Sequence, residues 1–148
     1  MARPLRRDLP DGFFHVVARG GAGCLIYLDD DDRRTFLGIL AAVVRPSPIE
    51  VHALCLMGTH YHAVLAGAVA DLSRLLHRLD GTYAQAFNER HARFGHLFAD
   101  RFSARAIESE EHLVEACRYV VLNPYRAGLV DSPADWPWSR SRYGLDVS

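Results

Sequence analysis

Residues 49–65, IEVHALCLMGTHYHAVL, predict the centre of the fold. The segments 49–57 and 60–65 are short and rich in apolar side chains, which is typical of buried β-strands. The pair Gly58-Thr59 between them has the length of a tight hairpin turn. We therefore expect an antiparallel hairpin whose alternate side chains point to opposite faces.

Before the hairpin, the sequence predicts one strand and one helix. Residues 13–18, FFHVVA, are typical of a strand, and a Gly-Gly pair follows it closely. The four acids at 29–32 precede apolar residues at helical spacing, and acidic side chains stabilise a first helical turn through the helix dipole. Pro46 and Pro48 end this helix. A cation site is the alternative interpretation of the acidic run.

After the hairpin, two predicted helices flank one further strand. A helix begins at Asp71, and we expect Gly81 to interrupt or bend it before it continues. Residues 98–107 contain a strand, and Ser109 caps a last helix that Pro124 ends or bends. The order strand, helix, strand, strand, helix, strand, helix predicts an α+β domain with an antiparallel sheet of ferredoxin-like type.

Length and composition restrict the class of protein. The 148 residues are expected to form one domain, 1–148. The net charge of −1 does not show the excess of basic residues typical of a simple nucleic-acid-binding protein, although every basic residue is an arginine. Cys24, Cys55 and Cys117 lie far apart, as is typical of a reducing compartment. No apolar segment reaches the ~18 residues of a membrane helix, so we expect a soluble cytoplasmic protein without a membrane partner.

His60 and His62 are the strongest local indication of a site. Residues two apart on a strand point to the same face, so the two imidazoles would stand side by side as a chelate for a divalent metal. Tyr61 would then point to the opposite, packed face. Two unrelated surface histidines would give the same pattern, and His-x-His alone is a weak motif.

Tyr119 and Asn123 form the second indication, because residues four apart share one face of a helix. A phenol with a pKa of about 10 is a poor nucleophile unless a metal polarises its target or a base assists it. Asn123 could supply an amide oxygen to the same metal, which would polarise a phosphate that Tyr119 attacks. Imidazole ligands favour Zn, Ni or Mn over Mg; we expect Mn or Mg. A core tyrosine and a helix-end asparagine are the structural alternative.

These residues belong to a longer pattern that resembles a known family. The stretch 56–62, LMGTHYH, resembles the HUH motif of single-tyrosine transposases, and the most similar branch is the REP-associated tyrosine transposases and transposase-like proteins. Ordered matches over most of the chain are more specific than His-x-His alone. They are GFFHV (12–16), ARG (18–20), FNERH (87–91), GHLF (95–98), RF (101–102), RYVVLNP (118–124), RAGLV (126–130) and WPWS (136–139).

The resemblance implies a ferredoxin-like HUH domain of the bacterial cytoplasm that nicks and joins single-stranded DNA, with hairpins of palindromic repeats as substrates. It implies that His60 and His62 are metal ligands, that Tyr119 is the nucleophile and that Asn123 is the third ligand. Cleavage would leave a 5′-phosphotyrosine and a free 3′-hydroxyl, and the strand could be rejoined without ATP. Relatives include monomers and homodimers, so the oligomeric state stays open.

The chain departs from the family pattern at the hairpin turn. The family commonly has Met-Pro-Asn before the first histidine, where this chain has Met57-Gly58-Thr59. Gly58 could loosen the hairpin, because glycine loses more conformational entropy than other residues when it is ordered. The expected ligands and nucleophile are unaffected, so the departure concerns DNA specificity.

Arginines are the expected contacts with DNA. Between positions 74 and 105, six arginines are opposed by three acidic residues, and guanidinium groups grip phosphates. Solvated helix faces would explain some of them equally well. Phe98 and Phe102 could stack on bases, although core packing is the default expectation. The expected DNA-binding residues are Arg6, Arg7, Arg19, Arg74, Arg78, Arg90, Arg93, Arg101, Arg105 and Arg126.

This hypothesis has rival residues for its site and two alternative functions. Tyr83 is the main rival nucleophile, but the asparagine four residues after Tyr119 favours Tyr119. His15 and His52 lie on predicted strands and are expected to be structural. A catalytically weakened hairpin-binding protein would bind DNA without cleaving it. A metal-dependent hydrolase of small phosphoesters would turn over substrate without a covalent adduct.

Overall fold

The computed structural model describes residues 12–145. Its helices and strands are β1 (Gly12–Arg19), α1 (Asp30–Val44), β2 (Glu50–Leu56), β3 (His60–Gly67), α2 (Val69–Arg90), β4 (Ser103–Ile107), α3 (Glu110–Arg126) and β5 (Ser139–Ser141). This order confirms the predicted succession of elements and adds β5, which the sequence analysis missed. None of the helices in this range has the length and apolar character needed to cross a membrane.

The strands form one antiparallel sheet in the order β4-β1-β3-β2-β5. The first four strands have the order of a ferredoxin-like sheet, so the predicted α+β class is confirmed. Strand β3 pairs with β1 along its whole length, and Arg19 lies opposite His60. On its other side β3 forms the predicted hairpin with β2, where the amide of Met57 donates to the carbonyl of His60 at 2.9 Å.

The main core lies between the sheet and the pair α1 and α2. Tyr61 enters this core, as the alternation of side chains along β3 predicts, and its ring lies 4.9 Å from that of Phe36. Tyr83 on α2 is fully buried, and its hydroxyl donates to the carbonyl of Ile26. Each large apolar side chain buried here contributes about 1.5–3 kcal/mol to folding. The two helices are therefore held firmly on this face.

Helix α3 covers the opposite face of the sheet. Ser109 caps it, because its hydroxyl accepts a hydrogen bond from the backbone amide of His112 at 3.1 Å. A smaller apolar cluster joins α3 to the sheet; it contains Ala53, Cys55, Met57, Val64, Ile107, Leu113, Ala116, Cys117 and Val120. Since side chains alternate along β3, the face under α3 is also the one that carries His60 and His62.

Helix α3 continues through Pro124 to Arg126, so the proline does not end it. A proline has no amide hydrogen, and the carbonyl of Val120 therefore loses its usual helical partner. The side-chain nitrogen of Asn123 donates to that carbonyl and to the carbonyl of Tyr119, both at 3.1 Å. The asparagine thus repairs the helix at the point where the proline would weaken it.

The expected interruption at Gly81 is wrong, because α2 is continuous from Val69 to Arg90. A side chain at position 81 would meet open space, so Gly81 lies on the solvent side of the helix. Leu79 and Tyr83 on the inner side are almost completely buried. Their burial outweighs the cost of about 1 kcal/mol for a glycine inside a helix.

An ion-pair cluster joins the start of α1 to the end of α2. Asp29 caps α1 by accepting from the amide of Asp32 at 3.0 Å. Arg90 donates to both carboxylate oxygens of Asp29, at 2.6 and 2.7 Å, and to one of Asp32 at 2.6 Å. His91 lies 2.9 Å from Asp32. Asp32 is only 2% exposed. Because its carboxylate and that of Asp29 pair with Arg90, the cluster explains the acidic run without a bound cation.

The segment after α3 forms a C-terminal strap, defined as residues 136–142, on the outer edge of β2. Trp136 donates its indole N–H to the carbonyl of Leu56 at 3.1 Å, and the amide of Leu56 donates to the carbonyl of Trp138 at 3.0 Å. Strand β5 continues this pairing, and the amide of Arg142 donates to the carbonyl of His52 at 2.9 Å. The strap covers backbone groups that an edge strand would otherwise leave open.

A partly buried carboxyl group, that of Asp80, lies between α2 and the central strand. The hydroxyl of Tyr61 donates to Asp80 at 2.7 Å. Burial raises the pKa of Asp80 to about 7, although the hydrogen bond from Tyr61 works in the opposite direction. The folded protein therefore binds a proton at a pH where the unfolded chain would be ionised at this position.

We expect Asp80→Asn to stabilise the protein above pH 7. Because the folded-state pKa exceeds the unfolded value, the contribution of Asp80 to stability falls as pH rises from about 4 to about 7. Asparagine keeps an acceptor for Tyr61 but does not ionise. Urea unfolding should show a gain of about 1–2 kcal/mol at pH 8 and a smaller difference at pH 4.

The matched control is Glu89→Gln, which removes an exposed carboxylate from the same helix. It should change the free energy of unfolding little at either pH. An Asp80→Asn variant that is less stable than the wild type at pH 8 would show that the carboxyl is ionised without penalty in the folded state.

Candidate functional site

An open cleft of about 830 Å³ lies between α3 and the sheet. Strands β1, β3 and β4 supply its floor and α3 supplies one wall. Its polar lining residues are His15, Arg19, His62, Ser103, Arg105, His112, Glu115, Arg118, Tyr119 and Arg126. Two of the four predicted catalytic and metal residues, His62 and Tyr119, therefore meet in one cleft.

His60 and His62 stand side by side on β3, with ring centroids 4.9 Å apart. The Nδ1 atom of His60 lies 3.0 Å from the hydroxyl of Thr59. The Nδ1 atom of His62 lies 3.1 Å from Nε2 of His15. In both histidines Nδ1 is thus engaged with the protein, and Nε2 is the nitrogen left for a ligand.

The electrostatics of this pair favour neutral imidazoles. His62 is 4% exposed, and burial, with smaller contributions from His60 and His15, lowers its pKa to about 3. Burial also lowers the pKa of His60, and the charge of Arg19 adds to the effect. Both side chains are therefore uncharged at neutral pH, which is the form that binds a metal ion.

The residues fit a divalent metal held by few protein ligands. Two neutral imidazoles with free Nε2 atoms suit a borderline ion such as Mn. Within residues 12–145, no three His, Cys, Asp or Glu side chains are grouped to hold a metal. A third protein ligand would have to be of another type. The ion would therefore keep open positions for oxygen atoms of a substrate.

Asn123, the predicted third ligand, lies one turn after Tyr119. Its side-chain nitrogen donates twice to carbonyls of α3, so the only polar atom left to bind a ligand is the amide oxygen. Within the described residues, the hydrogen bonds of this side chain are with its own helix. This arrangement fits the structural alternative and leaves the metal-binding role of Asn123 as a prediction.

Tyr119 presents its ring to the cleft. The ring centroid lies 6.2 Å from that of His62 and 5.8 Å from that of His15, and 43% of the residue is exposed. The guanidinium of Arg126 lies 4.6 Å from the centre of the same ring. Tyr83, the rival nucleophile, is completely buried under the opposite face of the sheet and cannot reach a macromolecular substrate.

His15 is the site residue that sequence reasoning missed. We expected a structural residue, but β1 places its imidazole in the cleft beside that of His62, with ring centroids 5.3 Å apart. The register of β1 against β3 creates this contact, and a single sequence does not reveal register over 47 residues of separation. His52, by contrast, is buried and packs edge-on against Phe13, as expected of a structural residue.

Three of the predicted DNA-binding arginines line the cleft, namely Arg19, Arg105 and Arg126, together with Arg118, which the prediction did not include. Burial lowers the pKa of His15, and the charge of Arg105 is the next cause. Glu115 is the acidic residue among the lining side chains. The cleft is therefore positive and suited to phosphate groups.

The other predicted arginines within residues 12–145 do not meet at this cleft. Two of them form ion pairs: Arg74 with Asp71, and Arg90 with Asp29 and Asp32. Arg93 donates to the side chain of Asn88 and to the carbonyl of His96. Arg78 on α2 and Arg101 before β4 are exposed. Arg6 and Arg7 lie outside the described residues. Within the described residues, three of the predicted arginines therefore line the cleft, and their contacts with DNA stay a prediction.

The hairpin turn is fastened at both of its residues. The carbonyl of Gly58 accepts from the amide of Ile26 at 2.9 Å, and that of Thr59 accepts from the amide of Gly20 at 2.8 Å. A side-chain carbon at position 58 would lie 3.2 Å from the side chain of Leu25, so glycine allows this close approach. These contacts hold the turn against the segment that follows β1, and the effect of Gly58 on the hairpin stays a prediction.

Comparison with known proteins agrees with this architecture. The family model described as "Transposase IS200 like" matches residues 25–123, which is more than half of the chain. The chain belongs to the IS200-like transposase family. No curated protein has significant sequence similarity to it.

Solved structures with a similar fold include two described as transposases. A REP-associated tyrosine transposase bound to a REP hairpin matches with a TM-score of 0.74 and 18% identity, over 94% of this chain and 82% of that one. A protein of Deinococcus radiodurans R1 assigned as a transposase matches with a TM-score of 0.52 and 15% identity, over 86% and 98%. At 18% and 15% identity, these similarities show a shared fold.

Proposed function

We propose that this protein is a metal-dependent endonuclease and strand transferase that acts on single-stranded DNA at hairpins. The observation that carries the proposal is the meeting of Tyr119 with His62 in one positive cleft, at 6.2 Å between ring centroids. Membership of a transposase family supports the reaction class. The hairpin bound by the similar REP-associated transposase supports the substrate class.

In this proposal His60 and His62 would hold Mn or Mg through their Nε2 atoms, and the amide oxygen of Asn123 would be the third protein ligand. When bound, the ion would act as a Lewis acid that offsets the charge on the scissile phosphate. The protein supplies neutral imidazoles, and the hydroxyl of Thr59 already engages Nδ1 of His60, so little reorganisation is needed when the ion binds.

Tyr119 is the nucleophile. Its hydroxyl oxygen attacks phosphorus and loses its proton to solvent, which the exposed position of the residue allows. The bond between phosphorus and O3′ breaks, the departing oxygen takes up a proton as a 3′-hydroxyl, and the 5′-phosphate stays on the tyrosine. Attack by another 3′-hydroxyl on this phosphotyrosine would rejoin a strand and release Tyr119.

The arginines of the cleft would bind the backbone around the scissile phosphate. Arg19 lies at the end of β1 beside His60, and Arg126 lies over the ring of Tyr119. Guanidinium groups form paired hydrogen bonds with phosphate oxygens, so this placement would align a strand across the site. Such contacts provide affinity without reading base sequence.

We expect Tyr119→Phe to abolish the covalent protein–DNA adduct and to leave hairpin binding nearly unchanged. Phenylalanine keeps the ring beside His62 and Arg126 and removes only the attacking oxygen. Labelled hairpin oligonucleotides with single-stranded flanks, incubated with Mn, would show the adduct on a denaturing gel.

The matched control is Tyr125→Phe, which removes another exposed tyrosine hydroxyl from α3. It should form the adduct normally. Hairpin binding by the wild type without any adduct would instead indicate the catalytically weakened binding protein. Phosphoester turnover without an adduct would indicate the small-molecule hydrolase.

Arg126→Gln should weaken hairpin binding several-fold and lower the slope of log affinity against log salt by about 1, as expected for one lost phosphate contact. Arg78→Gln is the control, because α2 covers the opposite face of the sheet. Fluorescence anisotropy at several salt concentrations measures both quantities. If Arg78→Gln weakens binding more than Arg126→Gln, the DNA follows α2 and the cleft is not its path.

A further inference from the structure

His15 makes the most specific contact in the cleft that the proposed reaction does not use. Its Nε2 atom lies 3.1 Å from Nδ1 of His62, and the planes of the two rings differ by 28°. The residue opposite His62 on β1 is Val17, so His15 reaches His62 along the diagonal of the same sheet face. The contact thus depends on two strands rather than on a mobile loop.

The chemistry of imidazole determines which of the two histidines donates in this hydrogen bond and which accepts. A histidine that binds a metal through Nε2 carries its proton on Nδ1, which must then donate to an acceptor. For His62 the acceptor at hydrogen-bond distance is Nε2 of His15. His15 must therefore be neutral, with its own proton on Nδ1.

On this basis, which rests on the function proposed above, we propose that His15 is a positioning residue that fixes the ring orientation and the tautomer of His62 for metal binding. His60 has a comparable acceptor in the hydroxyl of Thr59 at 3.0 Å. The two ligands are thus held by different means, one by its chain neighbour and the other by a neighbouring strand.

A role for His15 as a third metal ligand does not fit the same geometry. Within the described residues, no three His, Cys, Asp or Glu side chains are grouped around one metal position. The nitrogen of His15 that faces His62 already lies at hydrogen-bond distance from it. His15 therefore acts on the metal through His62.

The test compares variants that keep or remove the acceptor. His15→Gln places an amide oxygen close to the position of Nε2, whereas His15→Leu fills the space without an acceptor. Binding of Mn to the DNA-free protein is measured by electron paramagnetic resonance of the free ion. We expect the leucine variant to raise the dissociation constant about 10- to 100-fold and the glutamine variant to stay close to the wild type.

Controls separate positioning from structural damage. Thermal unfolding without metal should be similar in the variants; if His15→Leu does not fold, His15→Ala replaces it. His77→Leu, which removes an exposed histidine from α2, should bind Mn like the wild type. Equal Mn affinity in the wild type and in folded His15→Leu overturns the proposal, as does a glutamine variant as weak as the leucine variant.

Adduct formation by the wild type is followed in parallel, so that failure of the inference is distinct from failure of the function. A wild type that binds Mn and forms the adduct, beside a His15→Leu variant of equal Mn affinity, overturns only the role of His15. A wild type that binds no Mn overturns the metal site and the role of His15 together.

Discussion

The antiparallel pairing of β3 with β1 is the interaction on which the rest of the structure depends. It spans both strands from Gly12 opposite Gly67 to Arg19 opposite His60. A slip of one residue would turn every side chain of β3 to the other face. Tyr61 would leave the apolar core, and both histidines would enter it. The core around α1 and α2 therefore fixes the register, and the register fixes the site.

On the other face, the site depends on how α3 tolerates its proline. Pro124 leaves the carbonyl of Val120 without a helical partner, and the side chain of Asn123 compensates. The helix remains regular past Tyr119, so the tyrosine ring keeps its place between His62 and Arg126. One asparagine thus serves local structure directly, and its free amide oxygen keeps the metal role available. The two interpretations of Asn123 made from sequence are compatible.

The sequence predicted the features that depend on short-range patterns. The hairpin around His60, the cap at Ser109 and the α+β class follow from spacing and residue type, and they are confirmed. The roles of His15 and Arg90 could not be predicted, because they depend on partners 47 and 58 residues away. Strand β5 has the sequence Ser-Arg-Ser and no apolar alternation; backbone pairing with β2 makes it a strand.

The C-terminal strap has a mechanical consequence for the tyrosine helix. Helix α3 leaves β4 at one edge of the sheet, crosses the central strands and is tied by the strap to β2 and β5 at the other edge. Exchange of this helix between two copies of the chain would first require the strap to detach from β2. The far end of α3, and with it the ring of Tyr119, is thus held beside the strands of its own chain.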